Sequence, residues 1–171
     1  FADFGVTDPI VDALEDKGIT HPFPIQALTL GPALDRHDII GQAKTGTGKT
    51  LGFGIPVLED VIAPDEEGYE DLLNPNQPQA LIILPTRELT KQVAQDLREA
   101  AKYLSTRIVE IYGGVAFEPQ IEALQRGADI VVGTPGRLID LLRKGHLHLS
   151  GVETVVLDEA DEMLDLGFLP D

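Results

Sequence analysis

Residues 43–50 read Ala-Lys-Thr-Gly-Thr-Gly-Lys-Thr, which is the pattern of a phosphate-binding loop. Glycines at positions 46 and 48 allow a tight turn that points backbone N–H groups inward, and a following helix adds the positive end of its dipole. Lys49 would reach the β- and γ-phosphates, and the Thr50 hydroxyl would hold Mg²⁺. The alternative is a Gly-rich turn that only joins a strand to a helix. The nucleotide-binding candidates here are Ala43, Lys44, Thr45, Gly46, Thr47, Gly48, Lys49 and Thr50.

A pair of carboxylates follows the last apolar run of the chain, in the order Leu157-Asp158-Glu159. Ligands bind at the carboxyl ends of strands in open α/β sheets, so Asp158 is placed to hold Mg²⁺ opposite Thr50. Glu159 would orient or deprotonate the attacking water. Acidic residues also open many helices for purely structural reasons. The phosphate loop favours the metal interpretation, and it makes Lys49, Asp158 and Glu159 the catalytic candidates.

The charge of the chain restricts where a polyanion could bind. Thirteen basic and 29 acidic residues give a net charge of −16 and a pI near 4.4. Such a field repels nucleic acid at long range, so a nucleic-acid site would have to be a local patch. The chain has no cysteine and no apolar run near the ~20 residues of a membrane span. Phe1 begins directly in a foldable segment, so we expect no signal peptide and a cytoplasmic protein.

Apolar runs alternate with helical patterns along the chain. Strands are predicted at 38–42, 79–84, 107–112, 129–133 and 153–157, and helices near 49–62, 87–103, 117–126 and 135–144. This alternation predicts an α/β fold with a parallel sheet covered by helices on both faces. Two more helices are expected before the first strand, one from about Thr7 to Gly18 and one from about Pro24.

Two segments interrupt this pattern. Residues 63–78 are rich in acids and prolines, and they are predicted to form a flexible surface loop. His146 and His148 alternate with leucines, as metal ligands on a strand would. Because no third ligand stands in register, an exposed strand edge is the preferred interpretation of this histidine pair.

Several motifs together carry a family resemblance. Asp158-Glu159-Ala160-Asp161 spells the DEAD box, and the whole chain resembles the N-terminal RecA-like domain of a DEAD-box RNA helicase. The stretch 111–171 resembles bacterial members especially, actinobacterial ones among them. The other matching segments are the Q motif at 18–26 with Phe1 upstream, motif I at 43–50, motif Ia at 85–90, the Gly113-Gly114 doublet, and motif Ib at 134–137.

The resemblance implies which nucleotide the chain binds, which fold it has and which nucleic acid it binds. The fold would be that of a RecA-like P-loop NTPase preceded by Q-motif helices. Gln26 offers an amide donor and acceptor that suit adenine, which favours ATP, and Phe1 would stack on the base or pack the N-terminal helix. RNA would be bound through its backbone and without sequence preference. The RNA-binding candidates are Arg87, Gly113, Gly114, Thr134, Gly136 and Arg137.

The sequence ends at Asp171, soon after the DEAD box. The resemblance therefore implies that the Ser-Ala-Thr motif and the second RecA-like domain, with its arginine finger, lie outside it. We expect the isolated chain to be a monomer that binds ATP weakly and hydrolyses it negligibly. The expected function is the ATP-binding half of an RNA helicase, which unwinds short duplexes or remodels RNA–protein complexes. The alternatives are an ATP-gated RNA clamp without unwinding activity and a DNA-directed or metabolic P-loop ATPase.

Overall fold

A computed structural model describes residues 1–43 and 48–165, without the side chain of residue 165. It divides into two compact units. The first comprises Phe1–Val61 and Gln95–Ser105, and the second comprises Ile62–Ala94 and Thr106–Asp171. Among the described residues, no helix has the length and apolar character that a membrane span requires.

The first unit is helical. A 3₁₀ turn at Ala2–Phe4 precedes three helices: α1 (Asp8–Asp16), α2 (Pro24–Leu34) and α3 (Lys49–Asp60). Pro at the first or second position starts α1 and α2, because its fixed φ suits a position whose N–H needs no helical partner. The unit also contains residues 95–100 of α4 (Arg87–Ala100). The predicted helices near 7–18, 24 and 49–62 are thereby confirmed.

Small residues let the helices of the first unit approach closely. The position of a Cβ on Gly52 in α3 is 3.1 Å from the hydroxyl of Thr29 in α2. A Cβ on Gly54 would lie 2.7 Å from a methyl group of Leu97. A side chain larger than hydrogen at either position would force Thr29 or Leu97 to shift, since packed interiors hold almost no spare volume.

Carboxylates of the first unit tether α1 to residues 95–103. The Asp16 carboxylate accepts hydrogen bonds from the Tyr103 hydroxyl and from Lys102 Nζ, and both lower its pKa. The pKa of Glu99 is lowered in the same way by hydrogen bonds from Lys17 and from the Gln95 amide. Since a lowered carboxyl pKa means that the folded state favours the ionised form, these contacts stabilise the fold at neutral pH.

The second unit is built on a four-stranded parallel sheet. Its strands are β1 (Ala80–Ile83), β2 (Ile108–Ile111), β3 (Ile130–Gly133) and β4 (Thr154–Leu157), in the order β2-β3-β1-β4. Helices α5 (Phe117–Arg126), α6 (Pro135–Arg143) and α7 (Ala160–Asp165) follow the second, third and fourth strands. The predicted parallel α/β architecture is confirmed, and four of the predicted strands are present.

One face of this sheet forms a core with the helices that follow β2 and β3. Aliphatic side chains alternate along the strands, and those on this face meet the apolar stripes of α5 and α6. Leu138 and Leu141, three residues apart on α6, lie on the buried side of their helix. The buried members of this cluster are Leu81, Val109, Ile111, Ala128, Val131, Leu138, Leu141 and Leu147.

An ion pair with a buried carboxylate joins the amino-terminal ends of β2 and β3. Arg107 donates from Nε and Nη2 to the two carboxylate oxygens of Asp129, each at 3.1 Å, and its backbone N–H donates at 2.7 Å. Asp129 is fully buried. The same guanidinium donates to Asn76 Oδ1 at 2.9 Å and to the Tyr69 hydroxyl at 2.7 Å. Hydrogen bonding to Asp129 raises the pKa of Arg107.

Those last two bonds reach into the acidic segment 63–78. This segment contains a 3₁₀ turn at Tyr69–Asp71, and Ala63 within it is fully buried. The Tyr69 hydroxyl also accepts the N–H of Asn76 at 2.9 Å. The segment is therefore anchored at these points, and its flexibility stays a prediction.

Two sequence predictions about strands are wrong. Residues 38–42 form no strand, and the side chains of Ile39 and Ile40 are 40 % and 102 % exposed. A β-branched pattern makes a strand only where a neighbouring strand pairs with it, and no described residue pairs with this run. His146 and His148 lie in a loop after α6 and not on a strand edge, and the intervening Leu147 is buried in the core.

Candidate ATP and RNA site

The described end of the phosphate loop meets α2 inside the first unit. Gly48 has φ of +78° and immediately precedes α3, which begins at Lys49. A Cβ at position 48 would lie 2.3 Å from Gln26 Nε2 and 2.5 Å from a ring carbon of Phe23. Both the left-handed backbone and the close approach therefore require glycine there. The nucleotide contacts predicted for Lys44, Thr45, Gly46 and Thr47 fall outside the described residues.

Gln26 is buried and joins α2 to this loop. Its side chain is 1 % exposed, Oε1 accepts the backbone N–H of Phe23 at 2.9 Å, and Nε2 donates to the carbonyl of Gly48 at 2.8 Å. The first bond satisfies an N–H at the start of α2, as N-terminal capping residues do. An amide has two donor hydrogens and two acceptor lone pairs, so one of each remains for the predicted adenine contact. Phe1 is partly buried beside the first 3₁₀ turn, and its stacking role stays a prediction.

The carboxyl edge of the sheet collects the remaining candidates. The register pairs Ile83 with both Gly133 and Leu157, and it pairs Gly133 with Ile111. Because the four strands end in register, the residues that follow them form one row along this edge. Backbone hydrogen bonds continue the alignment, from Thr134 N to the Ile111 carbonyl at 2.9 Å and from Asp158 N to the Ile83 carbonyl at 3.0 Å. In strand order the row is Tyr112, Thr134, Leu84 and Asp158.

Asp158 and Glu159 stand at the end of the row formed by β4. The Asp158 side chain is 7 % exposed, and its Oδ1 accepts the N–H of Glu159 at 3.1 Å. Glu159 has φ of +55°, in the left-handed region that residues other than glycine seldom occupy. Such backbone strain is found at functional sites, where the surrounding structure holds the residue in place.

The donor chemistry at Asp158 suits Mg²⁺ with few protein ligands. Within residues 1–43 and 48–165, no group of three or more His, Cys, Asp or Glu residues could hold a metal ion. Mg²⁺ is usually bound by one or two carboxylates together with waters and substrate phosphates. A single buried carboxylate at the carboxyl end of a strand fits that pattern.

The RNA candidates gather at the other end of the row, around Tyr112. Arg87 begins α4, and its guanidinium carbon is 5.1 Å from the centre of the Tyr112 ring. The same guanidinium is 3.8 Å from the Cβ position of Gly114, whose φ is +79°. Lys91, one turn along α4, also lies over Tyr112 at 5.7 Å. The structure therefore brings Arg87 and the Gly113-Gly114 turn together.

Motif Ib is divided between the surface and the interior. Thr134 precedes α6, Gly136 is exposed in its first turn, and nothing lies within 4 Å of a Cβ on Gly136. Arg137, in contrast, is only 9 % exposed. Its Nη1 donates to Gln120 Oε1 at 3.2 Å, and its Nη2 donates to the Val115 carbonyl at 2.8 Å. The sequence pattern did not single out Gln120, although its spacing from Phe117 places both on one face of α5.

Comparison with known proteins agrees with this arrangement. The family model for DEAD/DEAH box helicases matches residues 23–171. The chain belongs to this family. It is 50 % identical over 170 residues to the DEAD-box ATP-dependent RNA helicase 3B, chloroplastic, of Zea mays. The aligned region includes 99 % of this chain and 22 % of that relative. The chain is 45 % identical over 172 residues to the ATP-dependent RNA helicase RhlB of Proteus mirabilis (strain HI4320), of which it covers 39 %.

Solved structures show the same fold for this DEAD-box domain. The crystal structure of a DEAD box protein from the hyperthermophile Methanococcus jannaschii matches 99 % of this chain and 44 % of that chain, with a TM-score of 0.87 and 40 % identity. A hypothetical ATP-dependent RNA helicase from Sulfolobus tokodaii matches 95 % of this chain and 44 % of its own, with a TM-score of 0.82 and 38 % identity. The domain is the N-terminal RecA-like domain of a DEAD-box helicase, and it spans less than half the length of these relatives.

Proposed function

We propose that this domain is the ATP-binding half of an ATP-dependent RNA helicase that couples ATP hydrolysis to local duplex unwinding or to RNA–protein remodelling. The observation that carries the proposal is the row at the carboxyl edge of the sheet. It has the carboxylates of the DEAD box at the β4 end, and it has the Gly113-Gly114 turn with Arg87 at the β2 end. One rigid edge thus carries both a metal-binding group and a phosphate-binding group, which suits coupling between nucleotide and RNA.

The residues of the domain would act on ATP as follows. Lys49 would neutralise charge on the β- and γ-phosphates, and Thr50 and Asp158 would hold Mg²⁺. The metal would supply positive charge that stabilises the negative charge developing on the phosphate oxygens. Glu159 orients the attacking water and accepts its proton. Gln26 selects adenine with the donor and acceptor that its structural bonds leave over.

RNA would be bound through its backbone. Arg87 supplies charge, Gly113, Gly114 and Gly136 supply N–H groups of a turn and a helix start, and Thr134 supplies its hydroxyl. Neutral backbone donors reconcile phosphate binding with a net charge of −16. The proposal includes a second RecA-like domain elsewhere in the natural protein, a monomeric state for the isolated domain and a cytoplasmic location.

The decisive experiment compares Glu159→Gln with the unsubstituted full-length protein in RNA duplex separation and RNA-stimulated ATP hydrolysis. Loss of both activities with retained ATP binding is the expected result, because the amide keeps the shape but cannot take the proton. Unchanged unwinding would refute the assigned role of Glu159. If DNA stimulated ATP hydrolysis as strongly as RNA does, the assignment of RNA as the bound nucleic acid would be refuted.

A further inference from the structure

The Gly113-Gly114 turn is exposed to solvent and lies between β2 and α5 in the chain. Both glycines and the two residues after them are exposed, and nothing lies within 4 Å of a Cβ on Gly113. Such a turn has little packing of its own to determine the direction of its peptide groups. Its ability to bind a phosphate depends on that direction, because the ligand is held by N–H groups that converge on it.

Two buried side chains hold the carbonyl groups on either side of the glycines. Gln120 Nε2 donates to the Tyr112 carbonyl at 2.9 Å, and Arg137 Nη2 donates to the Val115 carbonyl at 2.8 Å. Arg137 Nη1 in turn donates to Gln120 Oε1 at 3.2 Å, so the two side chains form one connected unit. Gln120 is 7 % exposed and Arg137 is 9 % exposed. We call this unit the turn brace.

Because a peptide group is planar, the two hydrogen bonds to carbonyl oxygens also fix the directions of the N–H groups in the same peptides. In a planar trans peptide the C=O and the following N–H point in opposite directions. The Tyr112 carbonyl is bound by a buried side chain, so the N–H of Gly113 points away from Gln120. In the same way the N–H of Ala116 points away from Arg137. The brace therefore orients N–H donors at both ends of the turn.

Phe117 packs against the guanidinium of Arg137. The guanidinium carbon of Arg137 is 3.9 Å from the ring centre, and Lys144 Nζ is 3.7 Å from the same centre. A lysine at position 137 would keep the charge but lose the planar fork that reaches two acceptors.

We propose that Gln120 and Arg137 are positioning residues for RNA binding, which hold the Gly113-Gly114 turn with its N–H groups directed at a backbone phosphate. Arg137 then acts through the turn and does not itself contact the polymer. This inference rests on the RNA-binding function proposed above. It adds Gln120 to the residues that determine RNA affinity, and it changes the role of Arg137.

The test measures the affinity of the full-length protein for a short fluorescein-labelled oligouridine RNA, with a non-hydrolysable ATP analogue, over a series of salt concentrations. Gln120→Met removes both bonds of the amide while keeping its size, and Arg137→Lys keeps the charge. We expect each to weaken RNA binding about 10-fold, as the loss of an oriented hydrogen bond does. The slope of log RNA affinity against log salt concentration should stay unchanged, and the affinity for ATP should also stay unchanged. Gln125→Met, at an exposed position of the same helix, is the matched control.

A direct phosphate contact by Arg137 gives a different pattern. In that case Gln120→Met would leave RNA affinity unchanged, Arg137→Lys would have little effect, and Arg137→Gln would reduce the salt slope by about 1. That pattern would overturn the inference. If Gln120→Met lowers thermal stability enough to obscure binding, Arg137→Lys decides alone, since weaker binding with an unchanged slope supports the brace and unchanged binding refutes it. Failure of the unsubstituted protein to bind RNA would refute the proposed function instead.

Discussion

The buried pair of Arg107 and Asp129 gives the sharpest stability prediction. Arg107→Met would leave a carboxylate that is fully buried with one remaining donor, the N–H of residue 107. Removing one partner of a buried ion pair typically costs about 3–5 kcal/mol. Because the Arg107 side chain is 28 % exposed, water can enter when it is removed, so we expect a loss near the lower bound, about 3 kcal/mol.

Urea unfolding at 25 °C, followed by circular dichroism, measures this loss. Arg143→Met removes an exposed arginine from α6 and should change the free energy of unfolding by less than about 0.5 kcal/mol. The double variant Arg107→Met/Asp129→Leu should be more stable than Arg107→Met alone, because it also removes the unpaired buried charge. A loss below about 1 kcal/mol for Arg107→Met, or a double variant less stable than the single one, would refute the reasoning.

Four further variants have expected outcomes. Gly133→Ala should destabilise the protein by about 1–3 kcal/mol, because the added Cβ would lie 2.7 Å from a carbonyl oxygen of β2. Gly31→Ala should stabilise the protein by about 0.5–1 kcal/mol, because position 31 in α2 has open space for a methyl group. Thermal unfolding measures both changes. Gln26→Met should lower the ratio of ATP to GTP affinity measured by titration calorimetry, with an unchanged ratio contradicting the adenine contact. Asp16 and Glu99 have lowered pKa values, so their stabilisation is present above the ordinary carboxyl pKa of about 4 and is lost as the pH falls below it. Acid unfolding of Asp16→Asn/Glu99→Gln should consequently depend less on pH in that range.

The sequence alone was sufficient for features that depend on local patterns. The helix predicted near 117–126 has these bounds in the structure, because a helical apolar pattern depends on neighbouring residues and not on other elements. The sequence also identified the phosphate-binding loop pattern, the DEAD box and the alternation of strands and helices that predicts a parallel sheet. Each of these is set by residue types at fixed spacing along the chain.

Tertiary structure decided the features that depend on partners. Residues 38–42 have the composition of a strand, yet no described strand pairs with them, and pairing is not encoded within a five-residue window. Arg137 matched a nucleic-acid motif, but the turn after β2 and helix α5 supply its acceptors, Val115 and Gln120, and its aromatic neighbour, Phe117. The sequence determined which groups could bind phosphate, and packing decided which of them face solvent and which hold the others in place.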